Sequence, residues 1–267
     1  MFSVILLLQP WCCSTSPDTC ATAAKEVGSP LRVQVTEGIL TEAEASLLIS
    51  EYGHRATDGY NPSFGSASTY LREKEDVSGA TAPLLRTIGT RAARLVAMAE
   101  PDSRKKTGLK HAEYPVITRY VVGESYGIHG DAAYLNRTHT VLIYLQAPAG
   151  GGGETVFPWW KKGETDAGQT ASLDQLCGGN DSDADYANDG EVLRVKPAVG
   201  RAVMWPNLSI TGHPSARAFH GSCPVLLGPN AEERKNDADA DGGGSEAKWV
   251  VQFWFDDKAT NVWPEES

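Results

Sequence analysis

At Tyr114 the hydrophobic pattern of the chain switches from a helical period to an alternating one. Before it, Thr41-Glu42-Ala43-Glu44 is a capping box that opens a helix running to about Tyr52. Leu84, Leu85, Ile88, Ala92, Leu95, Val96 and Ala99 draw one apolar stripe on a second helix, which begins near Pro83. After Tyr114 come YPVITRYVV, THTVLIYLQ, EVLRVKP, RAVMWP, FHGSCPVLL and KWVVQFWF. These are short runs rich in β-branched and aromatic residues, separated by Gly, Pro and Asn. LRVQVTE at 31–37 reads as one early strand, and 53–80, rich in Gly, Ser and Asp, reads as loop. Helices first and many strands after predict a mainly β fold with flanking α, an antiparallel sheet sandwich backed by N-terminal helices. A helical support region is expected over 24–110 and a catalytic core over 111–258.

The 267 residues, 41% of them hydrophobic, are enough for one large packed domain. No apolar run approaches the ~20 residues that span a bilayer. The net charge of −10 argues against a nucleic-acid or anionic-membrane surface. Most of that charge sits in two segments. Residues 158–190 hold seven Asp and Glu against two Lys, and 228–247 hold six acids against two bases. Both read as solvated insertions in the core, with an acidic rim for basic partners as the alternative.

At the N-terminus, apolar Phe2 to Leu8 and the small residues Ala21-Thr22-Ala23 mark 1–23 as a candidate secretory leader, although a positive n-region is missing. Cleavage there would leave only Cys177 and Cys223, so a disulfide scaffold is not expected. Asn136, Asn180 and Asn207 each begin an N-x-S/T sequon.

The chemistry centres on YGIHGDAAYL, residues 126–135. Read as a strand, it points His129 and Asp131 to the same face. A buried carboxylate beside an imidazole needs compensation, and a metal ion is the usual one. Three protein ligands are the minimum for an open metal site. His220, at the start of a late strand, is the leading third ligand, with His213 as the alternative. His139 faces with Val141, Ile143 and Leu145 and reads as a core-edge histidine, while His213 lies in a turn. Two histidines and one carboxylate form the facial arrangement of non-haem iron, with zinc as the competing metal. Such a site leaves positions for a chelating 2-oxo acid and for O₂.

A cosubstrate anchor should follow. In KWVVQFWF the odd positions Trp249, Val251, Phe253 and Phe255 are apolar and should face a core. The even positions Lys248, Val250, Gln252 and Trp254 mix a cation and an amide with apolar groups, as a face lining a site would. Lys248 can hold the far end of a dicarboxylate as a point charge. Arg234 and Lys235 are the alternatives, inside a polar run without strand character.

Several spaced motifs then combine. They are Tyr120…Tyr126…His129-x-Asp131, Arg137-x-x-Thr140-x-Leu142-x-Tyr144-Leu145, Gly152-Gly153-Glu154-Thr155-x-Phe157-Pro158, Lys196-Pro197-x-x-Gly200-x-Ala202, His220-x-x-Cys223-Pro224-Val225 and Lys248-Trp249. In this order, over about Tyr114 to Phe255, the chain resembles the prolyl 4-hydroxylase family. The resemblance implies a double-stranded β-helix (jelly roll) and an oxidoreductase of the procollagen-proline 4-dioxygenase type. Its cofactors would be Fe(II) and 2-oxoglutarate, with O₂ as cosubstrate and L-ascorbate keeping iron reduced. By matched position, His129, Asp131 and His220 would hold iron. Lys248 would pair with 2-oxoglutarate, helped by the hydroxyls of Tyr120 and Thr155. Tyr126, Arg137 and Trp254 would line the peptide and active-site pocket. Asp131 also favours hydroxylation over halogenation, because related halogenases carry a small residue there.

The expected activity is hydroxylation of peptidyl proline, most readily to 4-hydroxyproline, in a Pro-rich peptide or protein. The endoplasmic reticulum or secretory pathway is the expected compartment, with the cytoplasm as alternative. The same machinery acting on lysine or a small molecule, or a jelly-roll binding module without catalysis, are the other readings. Trp159 and Trp160 could lie over an extended peptide. Two stretches are decoys. Asp237-x-Asp239-x-Asp241-Gly242 begins like a calcium loop, but Lys248 stands where its bidentate Glu is needed. Gly150 to Gly153 reads as a strand connection, because no Gly-Lys-Ser/Thr follows.

Overall fold

In the computed structural model, described residues are 25–26, 33–58, 60–61, 66–70, 81–99, 110–111, 115–133, 137–158, 172–177, 186–188, 192–209, 211–228 and 244–256. The strands in chain order are β1 (Lys25–Glu26), β2 (Gln34–Thr36), β3 (Tyr60–Asn61), β4 (Ser66–Tyr70), β5 (Lys110–His111), β6 (Val116–Tyr120), β7 (Tyr126–His129), β8 (His139–Gln146), β9 (Thr155–Phe157), β10 (Tyr186–Asn188), β11 (Leu193–Val195), β12 (Ala202–Pro206), β13 (His220–Ser222) and β14 (Lys248–Asp256). The helices are α1 (Glu42–Asp58), α2 (Ala82–Ala99) and α3 (Leu173–Cys177).

β14 is the spine. It pairs antiparallel with β8 on one side and β6 on the other, in a sheet ordered β1-β2-β12-β8-β14-β6-β4-β3 with β5 also on β14. A smaller sheet is ordered β10-β11-β9-β13-β7. The alternation in β14 is realised as expected. Trp249, Val251, Phe253 and Phe255 join Val141, Ile143 and Leu145 of β8 in a core shared with α1 and α2. Val250 faces the other way, joining Tyr120, Leu142, Tyr144, Phe157, Leu193, Val203 and Trp205 in a second core between the sheets. Each such side chain stabilises the fold by about 1.5–3 kcal/mol. The larger sheet is thus covered by helices on one face and by the smaller sheet on the other, a jelly roll. No helix among the described residues is long and apolar enough to cross a membrane.

The helix signals hold. Thr41 N–H donates to Glu44 Oε2 at 2.8 Å, and Glu44 N–H donates to Thr41 Oγ1 at 3.2 Å, which is the reciprocal capping box. Glu44 also pairs with Arg91 at 3.0 Å, tying the start of α1 to α2. Leu85, Ile88, Ala92, Leu95 and Val96 are the buried stripe of α2.

Two expectations are corrected. The helix α1 passes Tyr52 and ends at Asp58. The expected loop 53–80 contains β3 and β4, and β4 pairs with β6 through Ala67↔Arg119 to Tyr70↔Val116. SASTY carries no apolar run, but a ladder partner satisfies its backbone and fixes it as a strand. The support region 24–110 is therefore not only helical, since it lends strands to the larger sheet. Cys177 and Cys223 are joined, 46 positions apart in sequence, a single bond that fastens α3 to the residue after β13. Residues 1–24, the Asn136 and Asn180 sequons, Trp159, Trp160 and the Asp237 to Gly242 stretch lie outside the described residues, as do Arg234 and Lys235.

Candidate active site

The smaller sheet brings two histidines together. His129 closes β7, His220 opens β13, and the ladder sets them directly opposite each other, with ring centroids 4.4 Å apart. Asp131 arrives differently from the sequence expectation. It does not share a strand face with His129, because β7 ends at His129 and Asp131 starts a 3₁₀ turn over Asp131–Ala133. That turn curls the carboxylate back toward the imidazoles. Asp131 Oδ1 lies 3.7 Å from His129 Nε2, and Oδ2 lies 3.8 Å from His220 Nε2.

The tautomers suit metal binding. His129 Nδ1 is 2.8 Å from Gly127 O, and His220 Nδ1 is 2.9 Å from Ala218 O. A carbonyl oxygen can only accept, so each Nδ1 carries the proton and each neutral ring presents the Nε2 lone pair inward. Burial, with His220 alongside, pushes the His129 imidazolium down to about 4. Burial alone would raise the carboxyl of Asp131. The flanking imidazoles and the Thr140 hydroxyl outweigh that and hold it below the usual carboxylate range. Three donor atoms, one from each of these residues, lie within 4.8 Å of one another. Two imidazoles and an anionic carboxylate on one side of a buried space fit a divalent ion with open positions. His213 is exposed in a turn, and His139 is buried with Nδ1 3.1 Å from Thr138 Oγ1, as the sequence implied.

Lys248 points inward from the start of β14 and is 2% exposed. Its ammonium lies 3.8 Å from the centroid of the Tyr120 ring. It donates to Gly153 O at 3.1 Å and to Ser222 Oγ. No carboxylate among the described residues pairs with it. Burial pushes its pKa down from 10.5 to about 7, against a smaller upward pull from Glu154. An unpaired buried cation is costly, and a dicarboxylate of the size of 2-oxoglutarate would relieve that cost. Thr155 is buried one link further on. Tyr144 OH donates to Val195 O at 3.1 Å, which leaves Thr155 Oγ1 to donate to Tyr144 at 2.6 Å. Ser222, the cross-strand neighbour of Thr155, holds Lys248 directly and was not singled out from sequence.

On the other side of Asp131, the guanidinium of Arg137 stacks 3.8 Å over the buried ring of Trp254 and reaches 3.9 Å from Asp131 Oδ1. The Tyr126 ring lies 4.3 Å from His129. Tyr126, Arg137 and Trp254 thus stand beside the triad, while Tyr120 and, through Ser222, Thr155 accompany Lys248. Thr140 Oγ1 donates to Asp131 Oδ2 at 2.6 Å, and Gln252 Nε2 lies 3.3 Å from the same oxygen. Their signal in the sequence was a polar residue inside an apolar strand.

Known proteins bear on this geometry. A family model described as the 2OG-Fe(II) oxygenase superfamily matches residues 115–256. The chain is 29% identical to prolyl 4-hydroxylase 2 of Arabidopsis thaliana over 240 residues, 84% of this chain and 74% of the relative. It is 37% identical to probable prolyl 4-hydroxylase 6 of the same plant over 120 residues, 42% of this chain and 37% of the relative. Among solved structures, it is similar in fold to the viral collagen prolyl hydroxylase of Paramecium Bursaria Chlorella virus-1 in its 2OG complex. The TM-score is 0.52 at 18% identity, over 84% of this chain and 94% of that one. More than half of the chain matches the family model, and the matched span contains every residue of the triad and the lysine. The chain belongs to the 2OG-Fe(II) oxygenase superfamily, as a prolyl 4-hydroxylase-like member.

Proposed function

We propose that this enzyme hydroxylates peptidyl proline, to 4-hydroxyproline, in a Pro-rich peptide or protein. The observation that carries the reading is the His129–Asp131–His220 cluster, with the buried ammonium of Lys248 bonded to Ser222 on the strand that carries His220 and paired with no carboxylate among the described residues. His129, Asp131 and His220 would hold Fe(II), and Lys248 would hold the distal carboxylate of 2-oxoglutarate. When bound, iron and 2-oxoglutarate supply the oxidising chemistry, with one atom of O₂ entering the substrate C–H bond and the other entering succinate as CO₂ leaves.

The chain's own residues do the positioning. Gly153 O and Ser222 Oγ aim the Lys248 ammonium, which is buried against the Tyr120 ring and so shielded from water. Arg137, stacked over Trp254, and the partly exposed Tyr126 beside His129 would receive the proline ring of an extended peptide. L-ascorbate would serve as the reductant that keeps iron ferrous. The Cys177–Cys223 bond supports an oxidising compartment, the endoplasmic reticulum or secretory pathway, over the cytoplasm.

The test is purified protein with Fe(II), ascorbate, 2-oxoglutarate and a Pro-rich peptide. Succinate should appear and the peptide should gain one oxygen in mass, both abolished in Asp131→Ala. Succinate without a change in the peptide would shift the reading to a lysine or small-molecule substrate. A folded protein that yields no succinate would leave a binding module.

A further inference from the structure

We propose that Asn207 and Thr140 form a positioning relay that fixes the Asp131 carboxylate for metal binding. Asp131 sits in a 3₁₀ turn rather than in a strand, so its own ladder does not hold it. The relay ties it instead to the middle of the larger sheet. Thr140 on β8 is fully buried, and its hydroxyl donates to Asp131 Oδ2 at 2.6 Å. A hydroxyl has one proton, so what Thr140 Oγ1 offers to its other neighbour is a lone pair. Asn207 Nδ2 donates into it at 2.8 Å. The flipped amide would set a carbonyl oxygen against a hydroxyl whose proton is already committed to a carboxylate, the stronger acceptor. The direction of the relay is therefore fixed from amide to hydroxyl to carboxylate.

Asn207 cannot swing away. Its backbone N–H donates to Thr138 O at 2.8 Å, and its carbonyl accepts from Ser215 N–H at 2.9 Å. Thr140 is the ladder partner of both Trp205 on β12 and Trp254 on β14, so it stands at the centre of three paired strands. From β14, Gln252 adds its amide to the same carboxylate oxygen at 3.3 Å. The two imidazoles come from the smaller sheet and the carboxylate is anchored to the larger one. The relay is what keeps the three donors in register across the space between the sheets.

The same residue explains a sequence motif. Asn207-Leu208-Ser209 is a sequon, but its amide is 1% exposed and bonded to Thr140. A glycan on that nitrogen and an assembled relay exclude each other.

This inference rests on the metal reading of the triad and not on proline as substrate. The test is calorimetric titration of metal-free protein with Mn(II), a redox-stable stand-in for the ferrous ion, with metal-free unfolding temperatures measured alongside. Thr140→Val should weaken Mn(II) binding about 10–100-fold, the usual effect of removing a residue that orients a ligand, while Thr140→Ser keeps the hydroxyl and the affinity. Asn207→Ala removes an amide whose Oδ1 has no partner among the described residues, so the fold should tolerate it. It should still weaken Mn(II) binding, and it should add little on top of Thr140→Val, because members of one relay are not additive. Parent-like affinity in Thr140→Val or in Asn207→Ala, or fully additive losses in the double variant, would overturn the relay. If Thr140→Val does not fold, Asn207→Ala alone decides. A parent protein that binds no Mn(II) overturns the metal reading and the relay with it. An enzyme that binds metal but ignores proline leaves these affinities, and the relay, standing.

Discussion

The ammonium of Lys248 faces the ring of Tyr120 at 3.8 Å, and no carboxylate among the described residues pairs with it. Burial holds its pKa near 7, against 10.5 for an ordinary lysine. The sign of the pH effect follows. Between about pH 7 and 10.5 the unfolded chain binds the proton and the ligand-free fold does not, so stability rises with pH through that window and the cost of burial is greatest below it. A bound dicarboxylate restores the ammonium. At about pH 8, 2-oxoglutarate binding should therefore take up roughly one proton, and affinity should fall up to about tenfold per pH unit above 7. Calorimetry in two buffers of different ionisation enthalpy reads this directly. Identical heats in both buffers would show that Lys248 is charged before the ligand arrives.

Replacing that lysine separates its two effects. Lys248→Met keeps the apolar stem and removes the buried charge. The ligand-free protein should melt at a higher temperature at pH 7, because an uncompensated cation is gone. Affinity for 2-oxoglutarate should fall by about 3–5 kcal/mol, a factor of 100 or more, because the dianion then stands unpaired. Thermal melts and ligand titration on the same preparation check both halves. A variant that binds 2-oxoglutarate as the parent does would remove Lys248 from the site.

Much of this arrangement is legible in the residues themselves. The strict alternation of Trp249, Val251, Phe253 and Phe255 against Lys248, Val250, Gln252 and Trp254 is a period-2 signal, and β14 obeys it. The Thr41–Glu44 box is a local motif with a local cause, and it forms. The triad residues also meet, although the strand-face reason for pairing His129 with Asp131 was wrong. The turn after His129 depends on contacts with the larger sheet, which a window of ten residues does not contain. The same holds for Asn207 and Thr140, which are 67 positions apart and become neighbours only through the β12–β8 ladder. β4 lacked an apolar run because its backbone pairing, not its side chains, makes it a strand. Cys177 and Cys223 had no motif spacing to join them, and only the docking of α3 beside β13 brings them within bonding reach.

The disulfide carries its own expectation. Closing a 46-residue separation corresponds to about 4 kcal/mol in the chain-entropy treatment, and 2–4 kcal/mol is the usual measured range. Cys177→Ser, or reduction of the parent, should lower the unfolding temperature by roughly 5–15 °C for a domain of this size. Cys223 adjoins Ser222, and its N–H donates to Glu154 O at 2.9 Å, so loosening it should also weaken 2-oxoglutarate binding. Melts with and without a thiol reductant test the first part. An unchanged melting temperature would mean that the bond adds nothing to the stability of the fold.

Two glycines in one connection separate backbone strain from contact. Gly151 and Gly153 both sit at positive φ, +80° and +71°. Alanine at either position carries the left-handed penalty of roughly 1–2 kcal/mol. Their surroundings differ. A Cβ at Gly151 meets nothing within 4 Å, whereas one at Gly153 comes 2.9 Å from Lys248 Cδ. Gly153 also accepts from the Lys248 ammonium through its carbonyl, so its backbone cannot shift without moving the anchor. Gly151→Ala should therefore lose stability and keep its KM for 2-oxoglutarate. Gly153→Ala should lose similar stability and raise that KM about tenfold, the effect of displacing a buried charge partner by little over 1 kcal/mol. Steady-state kinetics on the pair decide it. Equal KM values in the two variants would mean that the Lys248 stem has room to move and that Gly153 serves the turn alone.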